Sequence, residues 1–347
     1  MMYIKYMVQY GYESLHMFHD KKTGLKAIIC IHDSTLGPAL GGARLYNYES
    51  EEEAVLDCLR LARGMTFKSA AANLKLGGGK AVLIGDPKKV KSEEYFKAFG
   101  RFVESLGGKY ITAEDMNTTT TDMSFINMTT KYVTGLNNTS GDPSPITALG
   151  AYYGIKASVK EKFGTDDLSE RTFAIQGVGS TGKEVLRLLY QDGAKKIYYA
   201  DPNLDNVAYI SKNYPNTQYV ELKDIYQCDV DVFVPCAIGG IINENTLEVL
   251  KASVIAGTAN NVLLDEVKDS QRIKEKGILY APDFIINAGG IINVYHEFIG
   301  YNRKEVLKDV HKIYDRLLEI YSIANKHNIT THSAAMTYAQ NIIDKEK

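Results

Sequence analysis

The stretch FAIQGVGSTGKEVLRLL, residues 173–189, contains the most informative pattern of glycines in the chain. Gly177, Gly179 and Gly182 directly follow a short apolar run and precede residues with helical periodicity. That periodicity places three apolar side chains on one helix face: Val185, Leu188 and Leu189. The first glycine of such a turn permits the tight bend, the second lets the backbone approach a pyrophosphate, and the third allows helix and strand to pack closely. The helix N-terminus offers N–H groups and partial positive charge to that anion.

The next strand, KIYYAD, ends at Asp201, where a carboxylate would accept hydrogen bonds from an adenosine ribose. The same charge would repel a ribose 2′-phosphate, so the pattern favours NAD over NADP. The cofactor-binding residues predicted from this motif are Gly177, Val178, Gly179, Ser180, Thr181, Gly182 and Asp201.

From Thr172 onward, short apolar runs alternate with helical stretches. The runs are TFAIQ, KIYYA, TQYV, DVDVFVP, SVIAGT and ILYAP, with helices predicted near 180–191, 207–213 and 245–252. This alternation is typical of a parallel, doubly wound α/β sheet, the Rossmann arrangement. One long amphipathic helix is predicted over 304–326, and a last helical piece over 333–343.

The first part of the chain mixes strand-like and helical pieces. GLKAIICIHDS (24–34) predicts a half-buried strand, and KYITAED predicts a strand that ends at a carboxylate. Ser50 and Glu53 form a capping box for a helix that is expected to run to about Arg63 and to stop at Gly64. Three glycines, 77–79, then precede Lys80 and the apolar strand AVLI. The turn-forming stretch NNTSGDPSP (137–145) separates this part from the next.

Composition narrows the class of protein. A chain of 347 residues suggests two domains. A net charge of −2 disfavours nucleic acid as a partner, and no apolar run approaches the length of a membrane helix. The N-terminus lacks the apolar core of a signal peptide, so a cytoplasmic location is expected. The cysteine and histidine spacings match no common zinc pattern, and no metal site is predicted.

Two lysines have unusual surroundings: Lys68 lies in MTFKSAAA, and Lys80 lies between three glycines and an apolar strand. Glycines that expose the backbone beside a lysine often mark the close approach of a ligand. The sequence alone leaves open that both are surface lysines at the ends of helices or strands.

Six runs resemble the leucine dehydrogenase branch of the glutamate, leucine, phenylalanine and valine dehydrogenase family. They are GPALGGARLY, RLARGMTFKSAAANLKLGGGKAVLIGDP, GKYITAEDM, GDPSPITALGAYYGIKAS, IAGTANNVL and APDFIINAGGIINVYHE. The resemblance implies an α/β catalytic domain, residues 1–136 and 327–347, a Rossmann NAD-binding domain, residues 137–326, and a cleft between them. It also implies an NAD-dependent amino acid dehydrogenase that forms a homo-oligomer. Its expected small-molecule substrate is an apolar L-amino acid, leucine and also valine or isoleucine, which it would deaminate reversibly to the 2-oxo acid and ammonia.

The resemblance further implies a role for individual residues. Lys68 would bind the substrate carboxylate, Lys80 would activate water as the base, and Asp115 would shuttle protons. The position of Leu40 carries a lysine in relatives that act on glutamate, so an apolar substrate is expected. The other residues implied to contact the substrate are Ala113, Asn287, Ile291 and Val294, and those implied to lie along the nicotinamide are Thr147 and Asn260.

Oxidative deamination explains why two lysines are needed. One ammonium holds the substrate carboxylate, while the other amine must be neutral to accept a proton from the attacking water. Burial and a like charge lower the pKa of one lysine, which allows this division. Two alternatives stay open. The first is a dehydrogenase of phenylalanine or tryptophan, because Asn117 and Tyr295-His296 are similar to features of relatives that act on aromatic amino acids. The second is a homologue that binds metabolites without turnover.

Overall fold

The computed structural model describes residues 2–136 and 142–347, which form two compact units. The first unit contains the described residues up to Asp142 together with Val294–Tyr301 and Ala339–Lys347. The second contains Pro143–Asn293 and Asn302–Tyr338. The domain limits expected from the sequence stay a prediction. Most of the turn-forming stretch 137–145 lies outside the described residues.

The N-terminal part of the chain supplies the first sheet and its helices. Its strands are β1 (Ser14–Asp20), β2 (Leu25–Asp33), β3 (Ala39–Tyr46), β4 (Gly77–Ile84) and β5 (Tyr110–Glu114). Its helices are α1 (Met2–Tyr10), α2 (Glu51–Ala71), α3 (Pro87–Val90), α4 (Glu93–Ser105) and α5 (Thr120–Asn127). Within the described residues the strand order is β1-β2-β4-β3-β5. β4, β3 and β5 run parallel to one another, whereas β2 is antiparallel to both of its neighbours.

Alternation along the strands gives this sheet two buried faces. On one face Ile28, Cys30 and Val82 pack with Val55 and Leu59 of α2. On the other face the alternate residues of the same strands pack against α4 and α5 around Phe96, Phe99 and Ile126. Burial on both sides is the reason that β2 and β4 consist of nearly uninterrupted apolar and small residues.

The glycine run belongs to the sheet itself. Gly77–Gly79 are residues of β4, where the sequence placed them ahead of the strand. A Cβ on Gly78 would lie 2.1 Å from the backbone nitrogen of Thr66, so only glycine lets α2 approach this strand. Ser50 caps α2 as predicted, but the capping box is incomplete, because the Glu53 carboxylate accepts the Glu49 N–H and not the Ser50 N–H. The helix continues through Gly64 to Ala71, so the expected stop at Gly64 is wrong. Contact with β4 stabilises the extra turns in spite of the interior glycine.

The second unit contains strands β6 (Thr172–Gln176), β7 (Lys196–Ala200), β8 (Thr217–Tyr219), β9 (Val232–Pro235), β10 (Val254–Ile255) and β11 (Leu279–Tyr280). In the described part of the chain they form one parallel sheet in the order β11-β10-β9-β6-β7-β8. This is the Rossmann order, in which the strands run outward in both directions from the first. The predicted doubly wound α/β fold is confirmed.

Helices flank this sheet or follow it. They are α6 (Ser144–Phe163), α7 (Ser180–Gln191), α8 (Leu204–Asn213), α9 (Glu244–Val249), α10 (Glu266–Glu275), α11 (Asp283–Ile286), α12 (Gly289–Ile299), α13 (Arg303–His311), α14 (Ile313–His327) and α15 (Thr331–Asp344), with a short 3₁₀ turn at Ile225–Gln227. On α7, Val185 and Leu189 are buried as expected, but Leu186 completes the buried face and Leu188 is half-buried. The predicted single helix over 304–326 is two helices, interrupted at Lys312, where ψ is −12°.

Two features of the described residues bear on the class of protein. No helix among them is both long and apolar enough to cross a membrane. No group of three or more His, Cys, Asp or Glu side chains within 2–136 and 142–347 is arranged to hold a metal ion. The cysteines Cys30, Cys58, Cys228 and Cys236 are all free thiols.

Candidate active site

Lys80 and Asp115 meet on one face of the first sheet. Lys80 lies in the middle of β4, and Asp115 directly follows β5; β3 runs between these two strands. The Lys80 ammonium Nζ lies 2.6 Å from Asp115 Oδ1, and the lysine side chain is only 5% exposed. The pair spans β3 at Gly42, where a Cβ would lie 2.8 Å from the Asp115 Cβ. The absence of a side chain at Gly42 therefore lets the carboxylate reach across the strand.

Arg44, on β3, is a second cation bound to the same carboxylate. Its Nε donates to Asp115 Oδ2 at 2.8 Å, and its Nη1 donates to Asp57 Oδ2 of α2 at 3.1 Å. The Tyr48 hydroxyl donates to the same Asp57 oxygen at 2.5 Å. Arg44, Asp57 and Tyr48 were not predicted from the sequence as site residues. The available signal was the position of Arg44, two residues after Gly42 and therefore on the same face of β3.

These contacts set the charge of the site. Burial acts to raise the pKa of the Asp115 carboxyl, but the Lys80 ammonium and the Arg44 guanidinium hold it well below its usual range. Burial likewise acts to lower the pKa of Arg44, yet Asp115 and then Asp57 raise it above its ordinary value. Asp115 is therefore an anion, and Arg44 a cation, at neutral pH.

A tight turn fixes Asp115 against β3. The Asp115 N–H donates to Thr118 Oγ1 at 2.9 Å, and that hydroxyl donates to the Ala43 carbonyl at 3.0 Å. Asn117 has φ +61° and donates from Nδ2 to the Leu45 carbonyl at 3.0 Å. Asparagine and glycine are the residues that best tolerate this left-handed backbone. The backbone thus accounts for Asn117 without reference to the substrate.

The residues expected around the substrate fall in both units. Leu40 and Ala113 are buried on the Lys80 face of the first sheet, because the strand register aligns Leu40 with Gly78 and Gly42 with Ala113. Lys68 is half-buried on α2, three turns beyond Asp57 and on the same flank of the helix. Val294 belongs to the first unit, whereas Asn287 and Ile291, both buried, belong to the second.

In the second unit the glycine turn follows β6, at the point where the strand order reverses. Gly177 has φ +90°, which favours glycine, and a Cβ on Gly182 would lie 2.0 Å from the Gly177 carbonyl oxygen. A Cβ on Gly179 would meet nothing within 4 Å, so open space lies in front of it. Gly179 caps α7 and has no side chain to occupy the N–H groups of the first helical turn, which includes Ser180. The turn therefore fits a pyrophosphate.

Asp201 lies beside this turn and is 6% exposed. Its Oδ2 accepts the Val178 N–H at 2.8 Å, and its Oδ1 accepts the Asn203 N–H at 2.8 Å and Asn206 Nδ2 at 3.2 Å. A carboxylate has about four acceptor positions, so one remains for a hydroxyl group. The structure thus brings together the turn and the carboxylate that the motif placed side by side.

The remaining predicted residues lie near one another in the second unit. Asn287 Nδ2 donates to Asn260 Oδ1 at 2.8 Å, and Thr181 Oγ1 lies 3.1 Å from Thr258 Oγ1. Thr147 lies where Gly290 approaches α6, since a Cβ on Gly290 would be 2.8 Å from the threonine Oγ1. The buried Asn287 Oδ1 has no hydrogen-bond partner among the described residues. An acceptor of this kind suits a ligand that donates an N–H group.

Comparisons with known proteins identify the family to which the chain is similar. The family profile described as Glu/Leu/Phe/Val dehydrogenase, dimerisation domain, matches residues 12–132, and the profile described as Glutamate/Leucine/Phenylalanine/Valine dehydrogenase matches residues 203–347. A leucine dehydrogenase from Thermoactinomyces intermedius is 50% identical over 98% of this chain and 93% of its own length. An L-tryptophan dehydrogenase from Nostoc punctiforme is 46% identical over 97% of this chain and 95% of its own length.

Solved structures extend the likeness to three dimensions. The crystal structure of L-tryptophan dehydrogenase from Nostoc punctiforme has a TM-score of 0.89 and 43% identity, with 99% of each chain covered. A hetero-hexameric glutamate dehydrogenase from Thermus thermophilus shares the fold, with a TM-score of 0.76 at 20% identity over 97% of this chain and 89% of its own. The chain therefore belongs to the glutamate, leucine, phenylalanine and valine dehydrogenase family and is an amino acid dehydrogenase, an oxidoreductase.

Proposed function

We propose that this enzyme catalyses the reversible, NAD-dependent oxidative deamination of an apolar L-amino acid, leucine first and valine or isoleucine next, to the 2-oxo acid and ammonia. The observation that carries the proposal is the ion pair between buried Lys80 and partly buried Asp115, on a sheet face that also presents Leu40 and Ala113. The leucine dehydrogenase at 50% identity supports leucine as the substrate. A negative side chain would lie against the buried, apolar Leu40, which disfavours glutamate.

Each residue has a distinct task in this proposal. Lys68 binds the substrate carboxylate, and Leu40, Ala113, Ile291 and Val294 contact its apolar side chain. Asn287 hydrogen-bonds the amino acid. NAD, when bound, supplies the acceptor for the hydride that leaves the substrate Cα. Neutral Lys80 takes a proton from the water that adds to the resulting iminium carbon, and Asp115 passes protons to and from the amine as ammonia leaves.

The cofactor is proposed to be NAD, bound by Gly177–Gly182 with Asp201 on the adenosine ribose and Thr147 and Asn260 along the nicotinamide. A 2′-phosphate would face the buried Asp201 carboxylate, which supports NAD over NADP. We also propose a homo-oligomer, since the profile matching residues 12–132 is described as a dimerisation domain.

An aromatic L-amino acid is the second candidate substrate. It is favoured by the L-tryptophan dehydrogenase relative and by the close match of its crystal structure. Among aliphatic substrates, one methylene changes discrimination by only about 1 to 3 kcal/mol, so an enzyme that acts on leucine should also accept isoleucine and valine.

A substrate panel tests the proposal. Purified protein is assayed with NAD and leucine, valine, phenylalanine, tryptophan or glutamate, and NADH absorbance is followed. We expect the highest kcat/KM with leucine and no increase in NADH absorbance with glutamate. The highest value with phenylalanine or tryptophan would select the second candidate. Strong turnover of glutamate alone would refute the apolar pocket, and no turnover with any substrate would refute the catalytic proposal.

Replacing the proposed base separates chemistry from cofactor binding. Lys80→Ala should lower kcat by at least about a hundredfold, because general base catalysis is lost. NAD binding, measured by calorimetry, should be unchanged, since the glycine turn lies on a different sheet. Near-normal turnover in this variant would remove Lys80 from the base role.

A further inference from the structure

The Asp115 carboxylate binds two cations that differ in one chemical respect. Lys80 contacts Oδ1 at 2.6 Å, and the Nε of Arg44 contacts Oδ2 at 2.8 Å. A guanidinium keeps its proton under all conditions in which proteins fold, whereas an ammonium can lose one. Of the two cations, only Lys80 can therefore become neutral.

Arg44 is itself held in place from its other side. Asp57 Oδ2 accepts its Nη1 at 3.1 Å and also accepts the Tyr48 hydroxyl. The side chains of Arg44 and Asp115 are 20% and 21% exposed, so both charges are largely shielded from water. Lys80, Asp115, Arg44 and Asp57 thus form a chain of alternating charges that sums to zero when Lys80 is protonated.

We propose that Arg44 is a positioning residue that keeps Asp115 paired with a cation when Lys80 gives up its proton, and so makes the neutral amine of Lys80 available. The inference rests on the base role proposed above for Lys80. With Arg44 present, the carboxylate still binds a guanidinium after Lys80 is deprotonated. Without it, deprotonation would leave a largely buried carboxylate unpaired, which strongly opposes the loss of the proton.

The other titratable groups around Lys80 do not provide a substitute for Arg44. They come from the strands and helix packed around it: Tyr48 after β3, Asp57, Cys58 and Lys68 on α2, Cys30 on β2, and Asp115 after β5. Tyr110 of β5 lies in the core on the opposite face of the sheet. Burial raises the pKa of the Cys58 thiol to about 12 and raises those of Cys30, Tyr48 and Tyr110 as well. These thiols and phenols stay neutral, and Lys68 is assigned to the substrate carboxylate.

The test is the pH profile of kcat/KM for leucine in two variants that change the charge with opposite signs. Arg44→Met removes the cation, so the acidic limb of the profile should move to higher pH by about one unit. At a pH on that limb, kcat/KM should fall about tenfold, and it should recover at higher pH. Asp57→Asn removes an anion but keeps the shape and an acceptor for Tyr48, so the limb should move to lower pH. Arg44→Lys restores the charge and should bring the profile back toward that of the wild type.

Arg101→Met is the matched control, because it removes the same charge from the same unit at a half-exposed arginine whose carboxylate partner, Asp20, is 3.9 Å away. Its profile should coincide with that of the wild type. The inference would be overturned if Arg44→Met lost activity equally at every pH and the acidic limb of the profile stayed at its wild-type pH in both Arg44→Met and Asp57→Asn. Arg44 would then have only a structural role. If Arg44→Met does not fold, the direction in which the acidic limb moves in Asp57→Asn tests the inference: a move to lower pH supports it, and an unmoved limb overturns it.

A second readout does not depend on turnover. Trace acetic anhydride labels neutral amines, and mass spectrometry of the Lys80 peptide gives the extent of labelling against pH. The midpoint of labelling should rise in Arg44→Met and fall in Asp57→Asn; an unchanged midpoint in both would overturn the inference. If the wild type fails to oxidise leucine, that result counts against the proposed function alone, and the labelling still decides the role of Arg44.

Discussion

At the scale of single residues, Asp115 carries a negative charge that the fold stabilises. Its folded pKa lies below the ordinary value because Lys80 and Arg44 outweigh the effect of burial. A lowered pKa contributes stability above the ordinary value of about 3.9, and that contribution is lost as the pH falls toward the folded value. Asp115→Asn should therefore lower the free energy of unfolding by about 3 kcal/mol at neutral pH, because it leaves buried Lys80 without its anion and Arg44 with Asp57 alone.

Urea unfolding at neutral pH and at a pH below the ordinary aspartate value checks this prediction. The difference between the wild type and Asp115→Asn should shrink in acid, where the unfolded carboxyl of the wild type is protonated. An equal difference in the free energy of unfolding at the two pH values would contradict the negative charge assigned to Asp115. If Asp115→Asn changed the free energy of unfolding by less than about 0.5 kcal/mol at neutral pH, as substitutions at exposed positions do, the pair would not be shielded from water as described.

The residues of the site were partly accessible from the sequence. Lys80 and Asp115 were identified through family resemblance, and the structure joins them by an ion pair across 35 positions of the chain. Arg44 lies 71 positions from Asp115, and no local pattern links the two. Strand order brings them together, and a single sequence does not encode strand order in its periodicity. For that reason the second cation was found only in the folded chain.

At the scale of secondary structure elements, the glycine turn offers two substitutions with separate effects. Gly182→Ala places a Cβ 2.0 Å from the Gly177 carbonyl oxygen, so it should destabilise the second unit by about 1 to 3 kcal/mol. Gly179→Ala meets open space and has φ −71°, which alanine adopts freely. It should leave stability unchanged but weaken NAD binding by about tenfold or more, about 1.4 kcal/mol, since the new methyl group faces the predicted pyrophosphate.

Thermal unfolding and calorimetric titration of NAD separate these two effects. Gly193→Ala is a useful comparison, because it also meets open space but has φ +80° and so introduces backbone strain away from the turn. Unaltered NAD binding in Gly179→Ala would contradict the placement of the pyrophosphate. A destabilised Gly179→Ala would contradict the open space in front of this residue.

The elements themselves were predicted unevenly. The helix over 180–191 and the strand at Lys196–Ala200 agree with the structure to the residue, because turn signals bound them on both sides. The long helix over 304–326 was wrong, since its apolar periodicity continues across the one-residue interruption at Lys312. The end of α2 was also wrong, because contact with β4 outweighs the low helix propensity of Gly64.

At the scale of the whole molecule, each of the two compact units has a hydrophobic core of its own. The alternation of runs after Thr172 was sufficient to predict the parallel sheet of the second unit. The first sheet mixes parallel and antiparallel neighbours, and its strand order was not predicted, because β3 is inserted between β4 and β5 by contacts distant in the chain. The limits of the two units likewise depend on contacts that single-sequence periodicity does not report.

A ligand that binds one of these units should stabilise mainly that unit. NAD at about a hundred times its dissociation constant adds about 2.7 kcal/mol to the stability of the state that binds it. We therefore expect NAD to slow hydrogen exchange most at the amides of residues 177–182 and in the strands of the second sheet. Amides of β4 around Lys80 belong to the first unit and should change less. Hydrogen exchange followed by mass spectrometry measures both regions in one experiment.

NADP at the same concentration is the control, because its 2′-phosphate would face the Asp201 carboxylate and should reduce the protection. In Asp201→Asn the charge is removed while an acceptor for the Val178 N–H remains, so the difference between NAD and NADP should narrow. Protection by NAD that is confined to β4 and its neighbours would contradict the assignment of the dinucleotide to the glycine turn. Equal protection by NAD and NADP in the wild type would contradict the role of Asp201 while leaving that assignment intact, because the pyrophosphate is common to both cofactors.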